Sequence, residues 1–230
     1  MEAIILAGGL GKRLSPVLTD LPKPMAPIEK YPFLEILLSN LSSNGFKKII
    51  LAVGYQYEKI QNYFGFYYKN INLEYSVEKK PLGTGGAIKF AMNKVTSDHV
   101  YILNGDTFID LDFFKIEEKW KNEKKPIIIG CEVDDTSRYG VISFNKNVAT
   151  GFSEKKKEGK GFINAGCFVL NINQLNNFFS GQVFSFENDY LVNAIKNKIF
   201  NVYLHKGIFI DIGIPEDYFK ATKILKKYIN

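Results

Sequence analysis

Apolar runs of strand length alternate with helix-period segments through the first half of this chain, and that alternation restricts the fold more than any other feature. Ala3 to Ala7 reads as a buried strand, Phe33 to Leu41 as a helix, Lys48 to Val53 as a strand and Glu58 to Phe64 as a short helix. A strand near Leu73 to Val77, a helix from Gly85 to Asn93 and a strand from Val100 to Leu103 continue the series. Continuous apolar strands separated by helices predict βαβ units, whose strands lie parallel and are buried on both faces. Ligands of such sheets sit beyond the carboxyl ends of the strands, so a site is sought in the loops that follow them.

From Pro126 the texture changes to IIIGCEV, YGVISF, VATGFS and FINAGCFVL, short β-like runs broken by Gly and Asn. They predict a smaller, partly antiparallel lobe over about residues 126–199, beside a nucleotide-type core of about 1–125 plus 200–230. A helix near Glu187 to Asn197, strands near Ile199 to Leu204 and Ile208 to Ile210, and an amphipathic helix starting at Pro215 close the chain. The expected fold class is α/β: a Rossmann-like, mostly parallel but mixed sheet flanked by helices. With 230 residues, 46% of them hydrophobic, one globular unit spanning 1–230 is expected.

Composition excludes more than it selects. Met1-Glu2 lacks a basic n-region and the first apolar run stops at glycines, so no signal peptide is expected. No stretch approaches the ~20 apolar residues of a membrane helix. Cys131 and Cys167 each lie in an apolar run, which reads as buried thiols in a reducing cytoplasm rather than a disulfide framework. The net charge of +6 comes from scattered lysines. A phosphorylated small molecule accounts for it as well as nucleic acid does, and neither nucleic acid nor membrane is the expected partner.

The loop LAGGLGKRLSPVLTDLPKP, Leu6 to Pro24, follows the first strand. Gly8, Gly9 and Gly11 let backbone N–H groups approach an anion unobstructed. The spacing fits neither standard phosphate signature: Arg13 stands where a Walker loop needs Ser or Thr, and Leu14 where a dinucleotide loop needs Gly. A tight turn after the strand explains the glycines alone. It does not explain Arg13 and Lys23, a planar guanidinium and an ammonium suited to the oxygens of a polyphosphate, with Pro22 and Pro24 stiffening the backbone around Lys23.

This loop resembles the signature of the sugar-1-phosphate nucleotidylyltransferases, which reads roughly LAGGxGxRLxP, a spacer, then PKP. Further landmarks recur in order: PLGTGGA at Pro81 to Ala87, LNGD at Leu103 to Asp106, YGVI at Tyr139 to Ile142, SEK at Ser153 to Lys155, NAG at Asn164 to Gly166 and IDIG at Ile210 to Gly213. No hexapeptide-repeat tail follows, so the chain is similar to the short members of that family, which lack a C-terminal β-helix. The resemblance implies attack by a sugar 1-phosphate on the α-phosphorus of a nucleoside triphosphate, with release of pyrophosphate. It assigns catalysis to Arg13, Lys23 and Asp106. Nucleotide binding falls to Leu6, Ala7, Gly8, Gly9, Gly11, Lys12, Arg13, Glu78, Pro81, Gly83, Thr84 and Asp106. Sugar-phosphate binding falls to Lys23, Gly140, Glu154, Lys155, Asn164, Gly166 and Asp211, and Mg²⁺ to Asp106 and Asp211.

Glu78 matches the position whose side chain reads the base. A carboxylate there accepts from both N1–H and the exocyclic amine of guanine, whereas uracil and thymine offer one imide donor, so GTP is the expected nucleotide. Some uridylyl-transferring relatives also carry Glu at that position, and a solvent-facing Glu beside Lys79 and Lys80 is the plain alternative. Among short members the chain looks most like the guanylyltransferases of D-glycero-D-manno-heptose 1-phosphate, which supply GDP-heptose for surface glycans. Mannose 1-phosphate is the nearest alternative sugar. Phe209 departs from the Trp that many relatives place two residues before the second metal Asp.

Other candidates have plainer readings. Asp110 and Asp112 form a DxD of the kind glycosyltransferases use, but FFKIEEKW follows directly and helix capping is the expected role of both. A catalytically silent sensor would lack Arg13, Lys23 or a metal Asp, and all are present. His99 and His205 stand alone and read as satisfied structural histidines, and Trp120 as core. The cluster YFGFYY at Tyr63 to Tyr68 reads as a helix end and packing, with a homodimer contact as its other use.

Overall fold

The structure, a computed structural model, describes residues 1–9, 14, 18, 20–154, 158–197 and 199–228, with Glu154 described by its backbone alone. The first half follows the expected alternation: β1 (Glu2–Leu6), the short pair β2 (Pro27–Ile28) and β3 (Tyr31–Pro32), α1 (Phe33–Ser43), β4 (Lys48–Val53), α2 (Tyr57–Phe64), β5 (Tyr67–Tyr68), β6 (Ile71–Val77), α3 (Gly83–Met92) and β7 (His99–Asn104). Then come β8 (Thr107–Ile109), α4 (Phe113–Glu123), β9 (Ile127–Val133), β10 (Gly140–Asn145), β11 (Val148–Glu154) and β12 (Gly161–Asn171). A π-helical turn (Phe186–Leu191) runs into α5 (Val192–Lys196), and β13 (Asn201–His205), β14 (Phe209–Asp211) and α6 (Pro215–Leu225) complete the chain.

Ten strands form one mixed sheet in the order β10-β11-β13-β9-β12-β7-β1-β4-β6-β5. The β7-β1-β4-β6 portion is parallel, with Leu6 opposite Ala52 and Asn104, and Val53 opposite Val77. The segment expected as a lobe is continuous with this core, because β12 lies antiparallel against β7 on one edge and β9 on the other. Residues 201–205, grouped on sequence with the nucleotide core, instead extend the other half, since β13 runs parallel to β9. The pair β14–β8 returns the C-terminal part to the site.

Successive strand residues point to opposite faces, and each face is covered by helices. Ala3, Ile5, Ile49 and Leu51 pack with α1, α4 and α6 through Phe33, Leu37, Ile116, Trp120 and Leu225. Ile4, Ile50 and Ala52 pack on the other side with α3, α5 and the π-helical turn through Ile88, Ala91, Ile195 and Phe186. Trp120 is fully buried, as expected. His99 is held on both ring nitrogens, by Asp98 at 2.5 Å and Glu117 at 2.9 Å, and stacks on Trp120, while His205 Nε2 meets the Ile208 carbonyl at 3.2 Å. Both are structural. Both thiols are buried and free, and burial pushes each above its ordinary value. Among the described residues no helix is long and apolar enough to cross a membrane.

Candidate active site

The carboxyl ends of β1, β4, β6 and β7 converge, and the residues just past β1, β4 and β7 are small because the backbones nearly touch. Gly105 N donates to the Leu6 carbonyl at 2.9 Å, and a Cβ on Gly105 would sit 2.6 Å from that oxygen. A Cβ on Gly8 would meet Gly54 N at 3.2 Å and Glu78 Oε1 at 3.4 Å. Gly9 differs, for among the described residues nothing lies within 4 Å of an added Cβ.

These strand ends floor a cleft of about 810 Å³, within the range of small-molecule sites. Leu6, Ala7, Gly8, Gly9 and Lys23 line it from the first loop, and Glu78, Pro81, Gly83 and Thr84 from the segment after β6. Asp106 lines it from the turn after β7. Every nucleotide-side residue assigned on sequence that the structure describes is therefore in one cleft. Gly11, Lys12, Arg13 and Lys155 lie outside the described residues, as does the side chain of Glu154. Sequence reasoning passed over Asn104, Gly105, Gly54, Tyr55 and Gly213, which also line the cleft. The signal for Asn104 and Gly105 was present in LNGD, and the structure adds that the Asn104 amide packs at Gly166, where a Cβ would lie 2.4 Å from Nδ2.

Pro22 is extended, at φ −65° and ψ 144°, and starts the one-turn helix Lys23–Met25. That turn aims Lys23 Nζ at Asp106, with which it forms an ion pair. Asp106 Oδ1 also accepts from Thr107 Oγ1 at 3.3 Å. Pairing of β14 with β8 sets Asp211 opposite Thr107, and Ile212 N donates to the Asp106 carbonyl at 2.9 Å. Burial raises the Asp211 carboxyl above its ordinary value, and the charge of Asp106 raises it further; Lys23, the Gly213 N–H and Arg138 oppose this. A buried carboxyl beside a second carboxylate and a lysine suits a divalent cation. Among the described residues no group of three or more His, Cys, Asp or Glu comes together, so water and substrate oxygens would complete the coordination.

The segment PLGTGGA opens α3, and part of that helix start is tied to other segments of the protein. Leu82 N donates to Glu78 Oε2 at 2.8 Å, and Gly85 N and Gly86 N reach the Phe184 carbonyl at 3.0 and 3.3 Å. These three N–H groups are thereby committed inside the protein. The glycines answer to the 182–184 segment: a Cβ would lie 2.5 Å from the Phe184 carbonyl oxygen at Gly83, 2.2 Å from the Phe184 ring at Gly85 and 2.4 Å from the Gln182 carbonyl oxygen at Gly86. Thr84 Oγ1 locks the contact, donating to Glu187 at 2.7 Å and accepting from Phe186 N at 2.9 Å. Glu78 is thereby fixed through Oε2, with Oε1 toward Gly8 and the cleft, and burial raises its carboxyl above the ordinary value.

Gly140, Asn164, Gly166 and Asp211 do not line the nucleotide cleft. Asn164 Oδ1 accepts from Gly166 N at 3.0 Å where the β12–β9 register shifts, and Gly166 has φ +69°, a conformation that favours glycine. The expectation for the DLD pair needs correction. Asp112 caps α4, accepting from Lys115 N at 3.1 Å, but Asp110 accepts instead from Tyr228 Oη at 2.8 Å and ties down the C-terminal turn. With the two carboxylates committed separately, they do not form a shared metal site.

Residues 2–228 match the family model described as nucleotidyl transferase. The chain is 42% identical over 230 residues to the D-glycero-alpha-D-manno-heptose 1-phosphate guanylyltransferase of Aneurinibacillus thermoaerophilus, covering 100% of both. It is 42% identical over 220 residues to the same-named enzyme of Campylobacter jejuni, covering 95% of this chain and 97% of that one. Among solved structures it is similar to HddC from Yersinia pseudotuberculosis complexed with GMP-PN, with TM-score 0.85, 37% identity, and coverage of 98% and 99%.

Proposed function

Because the chain belongs to the nucleotidyl transferase family, we propose that it transfers GMP from GTP to D-glycero-α-D-manno-heptose 1-phosphate, yielding GDP-heptose and pyrophosphate. The observation that carries this reading is the 42% identity, over the full length of both chains, to an enzyme named for that reaction. The cleft supports it with Glu78, Lys23 and Asp106 in its lining, and Asp211 feels the charge of Asp106. We place the reaction in the cytoplasm, as a source of activated heptose for surface glycan. A second copy of the chain would sit on the exposed rings of Tyr63, Phe66 and Tyr67 beside β5.

In the proposed mechanism a sugar-phosphate oxygen attacks the α-phosphorus of GTP. The bond from that phosphorus to the α,β-bridging oxygen breaks, and pyrophosphate leaves with the electron pair. Such a transfer needs alignment and charge neutralisation and no covalent enzyme intermediate. Asp106 and Asp211 would hold Mg²⁺, which, when bound, neutralises the developing phosphate charge. Lys23, already held by Asp106, donates to phosphate oxygens at the reacting centre. The loop 7–9 leaves room for the triphosphate, Glu78 accepts from the guanine edge, and Arg13 has the triphosphate role that the family resemblance implies.

The test is pyrophosphate release from the purified protein with Mg²⁺, each of GTP, UTP, dTTP, CTP and ATP, and a panel of sugar 1-phosphates. GTP with the heptose 1-phosphate is expected to have the highest kcat/KM. A higher value for UTP or dTTP, or no release from any pair, would overturn the proposal. Glu78→Gln separates base reading from folding. An amide replaces a carboxylate whose ionised form burial disfavours, so the variant is expected to melt higher at pH 7. It also loses one acceptor, so KM for GTP is expected to rise about tenfold, the scale of a lost paired contact to a base. Below the usual carboxylate range both forms are neutral and the melting advantage disappears.

A further inference from the structure

We propose that the ion pair Arg138–Asp217 reads the exocyclic end of the sugar, the C6–C7 diol that distinguishes a heptose from a hexose 1-phosphate. This rests on the heptose reading above and adds to it the residues that make the distinction.

Arg138 lies in the turn between β9 and β10, immediately before Tyr139 and Gly140. Its guanidinium sits 5.4 Å from the centre of the Tyr139 ring, and that ring meets Phe209 edge-on at 5.6 Å. Phe209 opens β14, the strand that ends at Asp211. Asp217 lies in the first turn of α6, four residues past Gly213, which lines the cleft. The pair therefore hangs from the two segments that frame the Asp211 side of the site.

The pair is built and partly unspent. Arg138 Nη1 donates to Asp217 Oδ2 at 2.5 Å, with the side chains 34% and 20% exposed, so each fixes the other while both reach solvent. Among the described residues, no hydrogen bond occupies Nη2 or Nε of Arg138, and Asp217 Oδ1 has only the exposed Lys220 at 3.7 Å. A vicinal diol offers two hydroxyls that each donate and accept, and it is matched by adjacent fixed donors and acceptors. Ionised partners strengthen both kinds of bond. A hexose carries a single hydroxymethyl at this end and leaves part of the pair unanswered. Gly140, with no side chain of its own, keeps the adjoining backbone low beside Phe152, whose ring a Cβ there would meet at 2.6 Å.

Arg138→Met and Arg138→Lys, with Asp217→Asn, are assayed against the heptose 1-phosphate and mannose 1-phosphate at saturating GTP, and KM for GTP is measured alongside. Wild type is expected to favour the heptose. In Arg138→Met, KM for the heptose 1-phosphate rises about tenfold or more, the scale of an unanswered hydrogen-bonding group, while KM for GTP changes less than about twofold. Arg138→Lys keeps the charge but loses the fork, and falls between. The heptose-to-mannose ratio of kcat/KM collapses toward one. A variant that keeps the wild-type ratio and heptose KM, or that loses GTP and heptose affinity equally, overturns this inference alone. Wild-type protein that does not use the heptose 1-phosphate overturns the functional reading instead, and this inference with it.

Discussion

Asp106→Ala is expected to lower kcat about a thousandfold, at the upper end of what losing one preorganised electrostatic group costs, while leaving the far-UV circular dichroism unchanged. Asp106 has two jobs that two further variants separate. It holds Lys23, whose side chain is only 11% exposed, and it shares the proposed cation with Asp211. Asp106→Asn keeps the shape and removes the charge, so its half-saturating Mg²⁺ concentration should rise severalfold. Lys23→Met should cost comparable turnover with the opposite sign in metal dependence, because removing the lysine takes away the cation that competes for the two carboxylates. Stability should change little in Asp106→Ala, since the repulsion felt by Asp211 is relieved as the ion pair is lost. Wild-type turnover and Mg²⁺ dependence in Asp106→Asn would remove Asp106 from the mechanism.

The second large effect is on the loop that carries the base site. Gly83 has φ +74°, and its Cβ would lie 2.5 Å from the Phe184 carbonyl oxygen, so Gly83→Ala meets both a backbone penalty and immovable backbone. A loss of about 2 to 4 kcal/mol is expected in denaturant unfolding, with a higher KM for GTP. Gly85 is a contrasting case in the same turn. Alanine inside a helix would ordinarily add up to ~1 kcal/mol, but here its Cβ would lie 2.2 Å from the Phe184 ring, which can be cut back. In a double-mutant cycle Phe184→Leu should recover about 1 to 2 kcal/mol of the Gly85→Ala loss and none of the Gly83→Ala loss. Equal recovery in both cycles would mean that the ring, and not the backbone, constrains Gly83.

Much of the site was legible because its chemistry is local in sequence. The strand β1, the glycines after it and the Pro-Lys-Pro turn stand within one stretch of the first 24 residues, and LNGD and IDIG are short enough to recognise whole. Periodicity found β4 with its boundaries intact, since a fully buried parallel strand reads as an unbroken apolar run. Near Glu187 it predicted one helix and missed the division into a π-helical turn and α5. Asp110 shows a different kind of miss. Position ahead of a helix suits a cap, but its partner Tyr228 lies 118 residues away and leaves no trace nearby.

By itself the sequence determined the α/β class and carried the motifs by which the chain resembles its family, because these depend on short-range order: apolar period, turn residues and motif spacing. Only the tertiary structure decided that the second half joins the same sheet through β12 and β7, that the PLGTGGA glycines are shaped by residues 182–184, and that Arg138 meets Asp217. Each of these joins segments about 65 to 100 residues apart, where strand order and close packing, rather than neighbouring residues, choose the partner.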